Sequence, residues 1–135
     1  MAAIVWLTCI PAAGQGGKAE PKRIKFVSGT ALLTGTLSNT QEAEYVFSGE
    51  KDQTVMIRTS SNRLFDYRIF SPETDFDTEF DSSPSLTIEL PAAGEYLLYV
   101  RKKIVHRPRT ARFRLRISVG DPVRKERERG HNRFK

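Results

Sequence analysis

The side chains of this 135-residue chain that could do covalent or metal chemistry are two histidines, one cysteine and a run of carboxylates. A Ser-His-Asp centre needs a buried histidine oriented by a carboxylate. His106 lies among cations in 101-RKKIVHRPR-109 with no carboxylate neighbour to orient it, and His131 lies in a polar C-terminal stretch. A zinc site needs three or four nitrogen or sulfur ligands, more than Cys9 and these two distant histidines supply. The carboxylates cluster in 75-DFDTEFD-81. Read as a strand, it puts Asp75, Asp77, Glu79 and Asp81 on one face and Phe76 and Phe80 on the other. Clustered carboxylates suit calcium, so that possibility stays open, although the central Gly and distal Glu of an EF-hand loop are absent. The plainer reading is an exposed segment whose acids offset basic residues elsewhere, in pairs such as Arg114 with Glu79. The expectation is a protein with no catalytic residue, no metal ligand set and no cofactor.

The strongest chemical signal is basic. Residues 101–116, RKKIVHRPRTARFRLR, hold eight Lys or Arg and one His in sixteen positions. The net charge of +6 conceals a segregation, because residues 41–100 carry twelve acids against four bases and residues 101–119 carry eight bases and no acid. Such a charge dipole suits a folded domain that docks against one acidic surface. Nucleic acid would want a recognisable module, and no helix-turn-helix, zinc finger or RNP-like motif is present. Membrane binding would want an amphipathic helix with apolar anchors, and none is present. The cluster divides in two. Arg112, Arg114 and Arg116 alternate along a strand and read as a solvated face. KKIVHRPR (102–109) joins two strand-like runs, and Pro108 restricts its own φ and biases Arg107 away from helix. A partly stiffened loop tipped with arginine suits carboxylate recognition, since guanidinium donates in a planar fork.

The elements that must hold these residues are all strands. Short runs rich in Val, Ile, Thr, Tyr and Phe alternate with turn formers, with no sustained helical period. The pattern predicts strands near 23–27, 31–37, 43–48, 53–59, 64–70, 76–80, 85–90, 95–103 and 110–119. In the last, Ala111, Phe113, Leu115, Ile117 and Val119 face one way and Arg112, Arg114, Arg116 and Ser118 the other, as in an antiparallel sheet with one wet face. The expectation is all-β: a small antiparallel, jelly-roll-like β-sandwich of eight to nine strands over residues 22–119. Residues 120–135 read as a disordered basic tail. Residues 1–21 read as a truncated signal-like segment and linker, with an apolar run over 2–10 and small residues around a cut after Gly14. That run is too short to span a bilayer, which takes ~20 apolar residues. The expected location is periplasmic or secreted.

Three stretches taken in order carry a resemblance: 24-IKFVSGTALLTGTL-37, 43-AEYVFSGEKDQTVMIRT-59 and 90-LPAAGEYLLYVR-101, followed by the basic loop and ARFRLRISV. This order resembles the periplasmic inhibitors of g-type lysozyme over about residues 23–119. More broadly the chain resembles the pre-peptidase C-terminal-type β-sandwich, through LPAAGEYLLYV and 65-FDYRIFSP-72. Asp52 stands where both families usually place Gly, and Asp tolerates such turn conformations. The resemblance implies a non-enzymatic protein that plugs a lysozyme cleft with the loop running from Arg101 to Arg109. Arg107 and Arg109 would be tip residues with Lys103 and His106 beside them, and Arg63 in the SSNR turn and Tyr67 would be secondary contacts. The partner implied is a protein, with neither nucleic acid nor membrane insertion. The alternative implied is an accessory module that binds polysaccharide or another envelope ligand, with Tyr99 and Tyr67 contributing to an aromatic platform.

Overall fold

The computed structural model describes residues 20–121. The signal-like residues 1–19 with Cys9, and the tail residues 122–135 with His131, lie outside the described residues.

The described chain forms β1 (Lys22–Arg23), β2 (Thr30–Ser38), β3 (Glu42–Gly49), β4 (Thr54–Thr59), β5 (Phe65–Phe70), β6 (Ser85–Glu89), β7 (Gly94–Lys102) and β8 (Thr110–Gly120). Two four-stranded sheets result, ordered β1-β3-β7-β5 and β2-β8-β4-β6. We call them the β3 sheet and the β8 sheet. All strand pairs are antiparallel except β1 with β3. The inner faces follow the period-2 pattern of the sequence. Phe113, Leu115 and Ile117 of β8 and Val55 and Ile57 of β4 face Phe47, Tyr96, Leu98 and Ile69 across the core. Phe47 and Tyr96 stack with ring centroids 5.7 Å apart, and Phe65 meets Phe113 edge-on at 5.6 Å, so aromatic pairs join strands within and between sheets. Each such side chain contributes ~1.5–3 kcal/mol by leaving water.

The turns explain the motif residues. Asp52 adopts φ +70°, the left-handed conformation a Gly would take most easily, and its N–H donates to Leu90 O at 2.8 Å. In LPAAGEY, Leu90 is buried and the Tyr96 hydroxyl donates to Ala92 O at 2.6 Å, fastening the turn onto the strand that follows it.

Two sequence expectations are corrected. The strand near 23–27 shortens to Lys22–Arg23, because the chain leaves the β3 sheet after the Ile24 N–H bonds Val46 O and enters β2 through a turn at Ser28 and Gly29, both at positive φ. The 76–80 segment is not a ladder strand. It lies beside β5 at the edge of the β3 sheet, joined by isolated bridges Phe70↔Asp77 and Tyr67↔Asp81. The Thr78 hydroxyl accepts the Ile69 N–H, Asp77 Oδ1 accepts the Glu79 N–H, and Glu79 takes φ +63°. Side chains thus take the place of some ladder bonds, a known competition for Thr and Asp, while backbone bonds such as Thr78 N–H to Ile69 O persist. The predicted two-faced alternation is lost: Phe76 packs edge-on against core Tyr96, whereas Phe80 lies under the guanidinium of Arg101. The Arg114–Glu79 pair does not form; Asp77 pairs instead with Arg68.

Candidate partner-binding site

Three connections meet at one end of the sandwich: the β2–β3 turn (39–41), the β4–β5 turn (60–64) and the β7–β8 loop (103–109). The Lys103 N–H donates to Leu64 O at 2.8 Å, and the Asn39 N–H to Arg109 O at 2.9 Å. The loop is therefore held on both flanks by backbone bonds to its neighbours.

A polar clamp fixes its base. Tyr96, Leu98, Val100 and Lys102 alternate inward on β7, and Lys102 is 1% exposed. Its ammonium donates to Asn39 Oδ1 and to Lys103 O, each at 2.9 Å. Asn39 completes the tie by donating from Nδ2 to Val105 O at 2.8 Å and accepting the Val105 N–H at 3.4 Å. A buried ammonium is tolerated only when hydrogen-bonded, so the clamp and the loop conformation depend on each other. Neither Asn39 nor this role of Lys102 follows from the sequence, where Lys102 reads as one of the loop cations. The inward alternation of β7 was the one available signal.

Beyond the clamp the chain projects into solvent. Ile104 is 73% exposed, and His106, Arg107, Pro108 and Arg109 are exposed. The Arg107–Pro108 peptide is cis. Lys103 is half-buried, and Arg63 is exposed in the adjacent β4–β5 turn. The structure thus gathers Lys103, His106, Arg107, Arg109 and Arg63 at one end. Beside them lies a hollow of about 510 Å³ lined by Thr40, Glu42, Asp66, Arg101, Lys103 and Ile104 among others.

Two predicted contact residues sit elsewhere. Arg101 belongs to β7 and not to the loop. It points to the outer face of the β3 sheet, forks onto Asp66 at 3.1 and 3.0 Å, and stacks 3.6 Å from the Phe80 ring centroid. Tyr67 is 1% exposed, with its hydroxyl donating to Ser83 O at 2.7 Å. Burial, assisted by the Asp81 carboxylate, pushes that phenol up to about 12. It offers no surface to a partner and no aromatic platform. Tyr99 packs on Phe70 at 5.3 Å on the outer face of the β3 sheet. Among the described residues no three of the His, Cys, Asp or Glu side chains converge as a metal site. What the loop offers is recognition: guanidinium forks, an imidazole and an isoleucine on a braced support.

No protein-family model matches the sequence, and no curated protein does. Solved structures do. A mutant of Escherichia coli PliG, a periplasmic lysozyme inhibitor of g-type lysozyme, is 24% identical with a TM-score of 0.59, covering 73% of this chain and 96% of its own. Salmonella Typhimurium PliG, described in the same words, is 19% identical with a TM-score of 0.62, covering 76% of this chain and 99% of its own. The pre-peptidase C-terminal domain of a Bacillus anthracis collagenase is 12% identical with a TM-score of 0.49, covering 78% and 99%. This chain has the fold of the PliG inhibitors.

Proposed function

We propose that the protein is an exported, non-enzymatic binding protein that inhibits a g-type lysozyme by seating the 103–109 loop in its cleft. The observation that carries this reading is the braced cationic loop on a PliG-type fold, with Arg107 and Arg109 exposed and Lys102 and Asn39 holding the base from within. A lysozyme cleft contains catalytic carboxyl groups in a groove shaped for an extended sugar chain. A protruding arginine meets such a carboxyl in a charge-assisted, two-pronged contact. The clamp matters because ordering a rotamer-rich loop at an interface costs ~0.5–1.5 kcal/mol per side chain, and a preformed loop has met part of that cost before binding. Ile104 supplies the apolar contact beside the cations.

The test is lysis of bacterial cell walls by a g-type lysozyme with increasing amounts of the purified protein, and a chicken-type lysozyme in parallel. Dose-dependent loss of g-type activity alone is expected. Unchanged lysis at micromolar protein would remove the inhibitor reading while leaving the fold intact.

A further inference from the structure

The outer face of the β8 sheet carries four arginines. Arg112, Arg114 and Arg116 project from β8 and Arg58 from β4, and all four are exposed. On the sequence alone the β8 arginines read as a solvated face. The register adds something else. Arg58 stands directly opposite Arg116 across the β4–β8 ladder, and Leu32 of β2 stands opposite Arg116 on its other side. Facing side chains on neighbouring strands have Cβ atoms ~4.5–5.5 Å apart, and like charges so placed are destabilising. None of the four arginines takes part in an ion pair among the described residues. On the paired strands this face has a single carboxylate, Glu89, opposite Thr54. It lies four residues along β4 from Arg58, ~13 Å at strand rise. Among the described residues the patch therefore holds positive charge with no carboxylate beside it.

Its shape limits what can balance it. A shallow groove of about 340 Å³ runs over Arg58, Arg114 and Arg116 beside Leu32, Thr59 and Ser60. Along β8 the arginines recur every second residue, ~6.8 Å apart. Hydroxyl groups of Thr34 and Thr36 flank them on β2. Among the described residues no aromatic side chain lies on this face, so it lacks the stacking platform that single-stranded nucleic acid uses. Leu32, 48% exposed, and the partly buried Met56 of β4 are the apolar side chains that the described strands place here, too little for membrane insertion or for the buried hot spot of a protein interface. Regular arginines interleaved with hydroxyls suit an extended chain that carries carboxylates and hydroxyls together.

We infer that this face, with Arg58, Arg114 and Arg116 at its centre, binds a linear carboxylate-bearing polysaccharide independently of the lysozyme-directed loop. Guanidinium forks hold the carboxylates, and the Thr and Ser side chains meet the sugar hydroxyls.

The experiment is calorimetric titration of the full chain with oligogalacturonate at low salt, with neutral dextran, duplex DNA and anionic vesicles as alternative probes. Oligogalacturonate binding is expected, together with a rise in Tm because the ligand binds only the folded state. The variant combining Arg58→Gln, Arg114→Gln and Arg116→Gln should bind roughly tenfold or more weakly and flatten the salt dependence, since each lost cation removes released counterions. Arg107→Ala with Arg109→Ala should bind within about twofold of the parent, because those residues lie outside the patch. Circular dichroism confirms that both variants fold. Undiminished binding by the triple variant, absence of oligogalacturonate binding, or tighter face-dependent binding of DNA or vesicles would each overturn the inference. Lysozyme inhibition unaffected by the triple variant keeps this result separate from the preceding proposal.

Discussion

The outer faces of the two sheets use the same side chain in opposite ways. On the β3 sheet each arginine is matched: Arg23 with Glu95 at 2.8 Å, Arg68 with Asp77 at 2.8 Å and Arg101 with Asp66 at 3.0 Å. Arg68 and Arg101 also lie over the Phe80 ring, at 5.6 and 3.6 Å. On the β8 sheet, Arg58, Arg112, Arg114 and Arg116 enter no described ion pair. Charge held within one face contributes to the fold, whereas charge left unmatched is available to something outside it. Composition does not distinguish the two cases; the register that aligns each arginine with an acid, a hydroxyl or another arginine does.

The largest effect is expected where the sheets are tied together. Asn39 follows β2 of one sheet and Lys102 ends β7 of the other, so Asn39→Ala removes one of the two acceptors of the buried ammonium and leaves the Val105 groups without partners. A loss of ~2–3 kcal/mol in urea unfolding is expected. If the variant is as stable as the parent, the clamp is not what holds the loop. Next is Arg101→Ala, which removes a two-pronged carboxylate bond and a ring contact; ~1–2 kcal/mol is expected after discounting for its partial exposure.

Acid titration sharpens the contrast further. The Asp77 carboxyl is held below the ordinary range by the Arg68 guanidinium and then the Glu79 N–H, and Glu95 by Arg23 and then Ser48. Asp81 is lowered by hydrogen bonds from Ser83. A depressed folded-state value means that the unfolded chain binds more protons, so this stability is present above about pH 4 and is lost as pH falls through the depressed values. Asp77→Asn should be weaker at neutral pH and lose less on acidification; an unchanged acid profile would show that the Arg68 pair is energetically idle. The smallest effect belongs to the β8 face. Arg114→Gln should change stability by under ~0.5 kcal/mol, and a larger loss would show that the face is structural after all.

Legibility from sequence followed the same division. The 110–119 alternation was readable because β8 has one face in the core and one in water, so period 2 translates directly into burial. Asp52 and the LPAAGEY turn were readable because few residues meet those backbone demands. The 76–81 segment misled because its Asp and Thr side chains bond their own neighbourhood, which no period records. Among the candidate site residues, Lys103, His106, Arg107, Arg109 and Arg63 fall at one end of the fold, whereas Tyr67 and Arg101 are committed within it. Lys102 escaped because lysine is almost never fully buried. Its partner Asn39 stands 63 residues away, a contact that only the closed sandwich creates.

The central claim is that the braced loop, and not the arginine face, makes the lysozyme contact. Titrating g-type lysozyme with the parent protein, with Arg107→Ala plus Arg109→Ala, and with Arg112→Gln plus Arg114→Gln tests it in one assay. The parent and the face variant should inhibit alike, and the loop variant should need roughly tenfold or more protein. Full inhibition by the loop variant, or loss confined to the face variant, would contradict the account.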